Sequence, residues 1–102
     1  MKKILVIEDN ADVRENLGEL LELSNYEVLK AENGRVGATL AIKEQPDLII
    51  CDIMMPVMDG YGVLRILSKR PETSDIPFIF LSAKAEKADF RKGMNLGADD
   101  YV

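Results

Sequence analysis

Residues 48–60 read LIICDIMMPVMDG. An apolar run, Leu48-Ile49-Ile50-Cys51, stops on a carboxylate, Asp52, and the apolar residues after it enclose Pro56. Proline lacks a backbone donor, so this second run cannot continue as a helix interior or a central strand. The stretch therefore predicts a short buried strand that delivers an acid to its carboxyl end, followed by a stiff turn. Pro56 biases Met55 towards an extended conformation and sets the path of that turn. Asp59 then stands where it can cap a helix with Val63, Leu64 and Leu67 on one face, ended by Arg70-Pro71.

The same alternation runs outward in both directions. Towards the N-terminus, Ile4–Ile7 is a strand. Asn10 is placed to cap a helix in which Val13, Leu17, Leu20 and Leu21 recur at helical spacing. Tyr26–Leu29 forms a second strand, and Asn33-Gly34 turns into a helix carrying Val36, Leu40 and Ala41. That helix must stop near Gln45, because Pro46 follows. Towards the C-terminus, Pro77–Leu81 is a fourth strand, and a fourth helix carrying Phe90 and Met94 stops at Gly97. The strands are continuous apolar runs rather than alternating ones, which predicts a parallel sheet covered on both faces. Strand-helix-strand repetition with right-handed crossovers gives an α/β fold with a doubly wound parallel sheet.

Composition narrows the function. A chain of 102 residues is one domain. With 47% hydrophobic and 30% charged residues it is an ordinary folded domain rather than a disordered tail. The apolar start is too short for a signal peptide and no run reaches the ~20 residues of a membrane span, so a cytoplasmic location and no membrane contact are expected. A single cysteine, Cys51, forbids an intrachain disulfide and reads as inert packing within a strand. A net charge of −5 argues against direct nucleic acid binding. There is no histidine, hence no histidine base, zinc ligand or phosphate carrier of the chain's own.

In open α/β sheets ligands bind beyond the carboxyl ends of the strands. Those ends carry Glu8-Asp9, Asp52 and Ser82-Ala83. Three carboxylates converging in one crevice repel one another and raise a pKa. A hard divalent cation such as Mg²⁺ resolves the conflict, because it takes one or two carboxylates, keeps several waters and accepts phosphate oxygens. Each acid also has a plainer role open to it. Asp9 or Asn10 can cap the first helix, Glu8 can be a solvated strand end, and Asp52 a turn-forming acid.

ILVIEDN, LIICDIMMPVMDGYGVL, FIFLSAKA and LGADDYV, in that order and at that spacing, resemble the successive motifs of response-regulator receiver domains, from residue 3 to the last. The resemblance implies a CheY-like, flavodoxin-like sheet of order 2-1-3-4-5 over a single domain, residues 1–102. It implies that Asp52 is the phosphoacceptor of a two-component signalling system, phosphorylated by a histidine kinase or phosphotransfer protein with Mg²⁺. Asp9 and Asp52 are then direct metal ligands, the backbone carbonyl of Met54 is a third, and Glu8 acts through water. Ser82 is the phosphate-sensing hydroxyl and Tyr101 the switch aromatic. Ala83 leaves room for a phosphoryl group, and Met54 and Lys84 tune the rates. Phosphorylation would shift the face formed by the fourth helix and fifth strand. The chain would catalyse only the making and loss of its own aspartyl phosphate and would not be a turnover enzyme. Ser82 as a helix cap and Tyr101 as plain core stay open beside these roles, as does a solvated Lys84.

The family pattern continues past Val102 with a lysine two residues on, a proline, an aromatic residue and a fifth helix. The expectation is therefore a C-terminally incomplete receiver, its fifth strand cut short and its fifth helix absent. Phe78, Ile79 and Phe80 would lie near an open edge, so the chain is expected to be a fragment of a longer receiver or to complete its core as a homodimer or swapped dimer. Without that lysine, the alternative is a pseudo-receiver serving as an interaction scaffold without phosphorylation. A haloacid-dehalogenase-type hydrolase is disfavoured because Asp9-Asn10-Ala11-Asp12 has the wrong spacing for its Asp-x-Asp motif. A flavodoxin-type flavin module is disfavoured because Glu8-Asp9 would repel a phosphate.

Overall fold

In the computed structural model, β1 (Lys3–Ile7), β2 (Glu27–Ala31), β3 (Leu48–Asp52) and β4 (Phe78–Leu81) alternate with three helices, α1 (Ala11–Leu23), α2 (Gly34–Glu44) and α3 (Gly60–Ser68). A two-residue β5 (Asp100–Tyr101) completes the sheet. The structure describes residues 1–81 and the backbone of residues 100–101. The expected fourth helix with Phe90 and Met94 lies outside the described residues. All pairings are parallel and the order is β2-β1-β3-β4-β5, as the resemblance implied.

Local chemistry explains the element ends. Asn10 Oδ1 accepts from the Val13 amide at 3.1 Å, Asn33 Oδ1 from Val36 at 2.9 Å and Asp59 Oδ1 from Gly62 at 2.8 Å. Each cap satisfies an amide that has no carbonyl a turn earlier. Asn10, not Asp9, is the cap of α1. Gln45 ends α2 in the left-handed region, as Pro46 requires a stop there.

The core sits between the sheet and the α2–α3 side. Leu5, Ile7, Ile49, Cys51, Phe78 and Phe80 point into it from the strands, against Ala38 and Ala41 of α2 and Val63, Leu64 and Leu67 of α3. Phe80 stacks edge-on with Tyr61 and Phe78, with ring centroids 5.0 and 5.2 Å away. Phe78 and Phe80 are 2% and 0% exposed, and β4 is flanked by β3 and β5. The expectation that Phe78, Ile79 and Phe80 share an open edge is thus corrected. Period two sends both phenylalanines under α3, and only Ile79 faces the other side.

That other side is covered unevenly. Ile4 and Val6 of β1 are buried, whereas Leu48, Ile50, Ile79 and Leu81 are half-buried. Full cover on both faces therefore holds for β1 and not for β3 and β4. Helix α1 likewise leaves Val13 and Leu20 exposed, so their helical spacing does not mark buried positions. In α2 the buried positions are Gly34, Gly37, Ala38 and Ala41, with Val36 exposed. Small residues there let the helix approach closely, as shown by Ile7, which fills the place a side chain on Gly37 would take.

Candidate functional site

Strand register gathers the acids. Ile7 pairs with Cys51 across β1 and β3, which brings Glu8 level with Asp52 at the carboxyl edge of the sheet. Glu8, Asp9 and Asp52 each offer an oxygen within 4.8 Å of the other two. Among the described residues no lysine or arginine pairs with any of them.

The three differ in setting. Glu8 is 5% exposed, so it is not a solvated strand end. Its amide donates to Ala31 O at 3.0 Å, and its Oε2 accepts from the Asn10 amide at 3.0 Å. Burial raises its pKa to about 7, with the carboxyls of Asp9 and Asp52 adding to the rise. Asp52 is half-buried, and its pKa is also raised, first by burial and then by the negative charge of Asp9. A hydrogen bond with Glu8 and the backbone amides of Met54 and Ile53 pull it the other way. Asp9 is exposed at the mouth. Near neutral pH the Glu8–Asp52 pair is therefore part-way through its titration, the two carboxyls sharing the last proton as a unit.

The loop after β3 is built to keep Asp52 in place. Gly60 lies against the carbonyl of Asp52 and the Cα of Ile53, where a side chain would have to displace backbone, and its amide donates to Ile53 O at 2.9 Å. Met55 is buried as an anchor, while Met54 and Val57 are exposed on the rim, Val57 at 85%. Val57 has φ 73° and is spanned by a hydrogen bond from the Met58 amide to Pro56 O at 2.8 Å. A β-branched residue in that region is strained. Sequence reasoning found the stiffness of this turn through Pro56 but not the strain at Val57, because nothing in valine's chemistry asks for a positive φ.

Cys51 is fully buried and its thiol pKa is pushed well up by burial and by Asp52, which suits the inert role expected of it. Asp52 pairs in register with Leu81. Ser82, Ala83 and Lys84 follow directly but lie outside the described residues, as does the side chain of Tyr101. A separate cavity of about 270 Å³ lies at the opposite end of the sheet under the α3–β4 loop, among Ile49, Leu64, Leu67, Thr73 and Phe78. Its buried hydroxyl, on Thr73, already donates to Leu67 O at 2.7 Å, so it is a structural cavity remote from the acids.

A family model described as the response regulator receiver domain matches residues 4–102. The chain belongs to that family. Among curated proteins this receiver domain is similar to the probable transcriptional regulator ycf27 of Porphyra purpurea, 45% identical over 101 residues. That match covers 99% of the chain but 40% of the relative, so the chain spans about two fifths of its length. Among solved structures it is similar to the chemotaxis protein CheY4 of Vibrio cholerae, with TM-score 0.96 and 27% identity over all of this chain and 85% of that one. It is also similar to the receiver domain of sensor histidine kinase PA1611 from Pseudomonas aeruginosa PAO1, with TM-score 0.91 and 28% identity over 99% and 83%. That structure has a magnesium ion coordinated in the active site cleft. The residues of the present receiver fit such an ion: three hard oxygen donors converge, and among the described residues no lysine or arginine balances them. No helix among the described residues is long and apolar enough to cross a membrane.

Proposed function

We propose that this receiver accepts a phosphoryl group on Asp52 from a histidine kinase or phosphotransfer protein. The observation that carries the reading is the convergence of Glu8, Asp9 and Asp52 within 4.8 Å at the carboxyl ends of β1 and β3. A carboxylate oxygen of Asp52 attacks phosphorus in line with the departing group, whose bond to phosphorus breaks and leaves with its electron pair. Asp9, Asp52 and the Met54 carbonyl would hold Mg²⁺, with Glu8 acting through water. When bound, that ion neutralises the carboxylates and the phosphoryl oxygens in the transition state. As the site loads, the proton of the Glu8–Asp52 pair would pass to solvent, so that both carboxylates are ionised. Gly60 and the buried Met55 keep the Asp52 backbone from drifting during the attack. Ser82 is proposed to receive the new phosphate through its hydroxyl, with Ala83 leaving space and Lys84 and Met54 setting the rates. Tyr101 then turns inward to shift the face of the fourth helix and β5. The chain would make and lose only its own aspartyl phosphate, in the cytoplasm.

Intact mass after treatment with acetyl phosphate tests the reading. One Mg²⁺-dependent phosphoryl adduct, missing in Asp52→Asn, is the expected result. No adduct on a folded, Mg²⁺-binding protein would favour the scaffold alternative instead.

The half-buried Leu48, Ile50, Ile79 and Leu81, which share one face of β3 and β4, support a second proposal, that two copies associate through this face. Sedimentation should show concentration-dependent dimers that Ile79→Lys abolishes, and a monomer at all concentrations would contradict it.

A further inference from the structure

Arg14 stands on α1, six residues past Glu8, and its side chain is largely buried, at 17% exposure. Its Nη1 donates to the backbone carbonyl of Glu8 at 2.9 Å. Its ion pair with Glu15 is long, 3.8 Å from Nε, so the short bond of this guanidinium is to backbone. A charged donor on a carbonyl makes one of the stronger hydrogen bonds available to a loop. The Glu8 carbonyl is the first beyond β1, and the peptide it belongs to joins Glu8 to Asp9.

We propose that Arg14 is a positioning residue for the acidic pair, clamping the Glu8–Asp9 peptide so that both carboxylates stay gathered beside Asp52. Three bonds then fix the β1–α1 loop: Arg14 to Glu8 O, the Asn10 amide to Glu8 Oε2, and the Val13 amide to Asn10 Oδ1. Asp9 is exposed, so its placement depends on this backbone rather than on packing. The direction of the guanidinium matters as much as its presence. Aimed into the cleft it would pair with the acids and compete with a divalent cation; aimed at the carbonyl from behind, it orders the acids and leaves their charge unspent.

The proposal rests on the metal-assisted reading of the site and predicts a property separable from it. Mg²⁺ affinity, followed by amide chemical shifts at Glu8, Asp9 and Asp52, should fall about tenfold in Arg14→Met, the scale seen when groups that orient ligands are removed. Arg14→Lys, which keeps a charged donor, should recover most of the loss. Arg70→Met, which removes only the exposed pair with Glu72, should leave affinity unchanged. In metal-free protein the Asn10 amide should exchange with solvent faster in Arg14→Met than in wild type. A folded Arg14→Met with wild-type Mg²⁺ affinity overturns the assignment. If that variant does not fold, Arg14→Lys and Arg14→Gln decide, since wild-type affinity in Arg14→Gln overturns it equally. If the wild type binds no Mg²⁺, the reading of the site falls and the role of Arg14 with it. If the wild type binds and the variants match it, the role of Arg14 alone falls.

Discussion

Glu8 is the residue at which folding and function pull apart. Burial beside two aspartates raises its pKa from 4.5 to about 7, so the folded protein holds a proton that the unfolded chain releases. Between those values the native state binds more protons than the unfolded one, and stability falls as pH rises through the window. The contribution is fully present below about pH 4.5 and is lost as pH rises through about 7. Urea melts of metal-free protein should therefore show lower stability at pH 8 than at pH 5.5, and added Mg²⁺ should reverse the order. Because a proton on the acidic cluster removes negative charge that favours the cation, Mg²⁺ affinity should rise with pH across neutrality. Asp52→Asn removes a half-buried charge from the cluster and should stabilise metal-free protein by about 1–2 kcal/mol in the same melts. The identities of these acids were legible in the sequence from their places at strand ends. Their burial was not, since a solvated strand end and a buried acid look alike until a neighbouring strand is set in register. The bond of Arg14 is illegible in the sequence for a related reason: its partner is a backbone carbonyl, which no side-chain motif reveals.

At the scale of elements, the loop from Asp52 to Gly60 is the part under strain. Val57→Gly relieves a positive φ at an exposed position and should raise the midpoint of thermal unfolding by the equivalent of about 1 kcal/mol. Gly60→Ala should do the reverse, costing about 1–3 kcal/mol, because the new methyl meets backbone that cannot step aside. If the strained turn serves the site, Val57→Gly should also slow phosphorylation of Asp52 while stabilising the fold. The caps of α1, α2 and α3 were readable because Asn and Asp at those positions have a specific backbone task. Which face of each helix is buried was readable for α3, whose Val63, Leu64 and Leu67 all lie in the core. For α1 the spacing leaves it open, since Leu17 and Leu21 are half-buried while Val13 and Leu20 are exposed. Periodicity reports that a helix has an apolar side and not what lies against it.

For the molecule as a whole, strand order and the convergence of acids follow from the parallel register that brings the ends of β1 and β3 level. The alternation of strands and helices was legible because nearly every boundary carries a proline, a glycine or a capping residue. The unequal cover of the two sheet faces was not, since Ile50 and Ile49 are the same residue type and only their side of the sheet separates them. The central claim is that this fold exists to make Asp52 a phosphoryl acceptor. Borohydride reduction after exposure to acetyl phosphate and Mg²⁺ tests it most directly, because an acyl phosphate is reduced to an alcohol whereas a free carboxylate is not. Peptide mapping should find homoserine at position 52 and nowhere else, and only when Mg²⁺ was present. Unmodified aspartate at position 52 in a protein that binds Mg²⁺, or homoserine at another acid, would contradict the account.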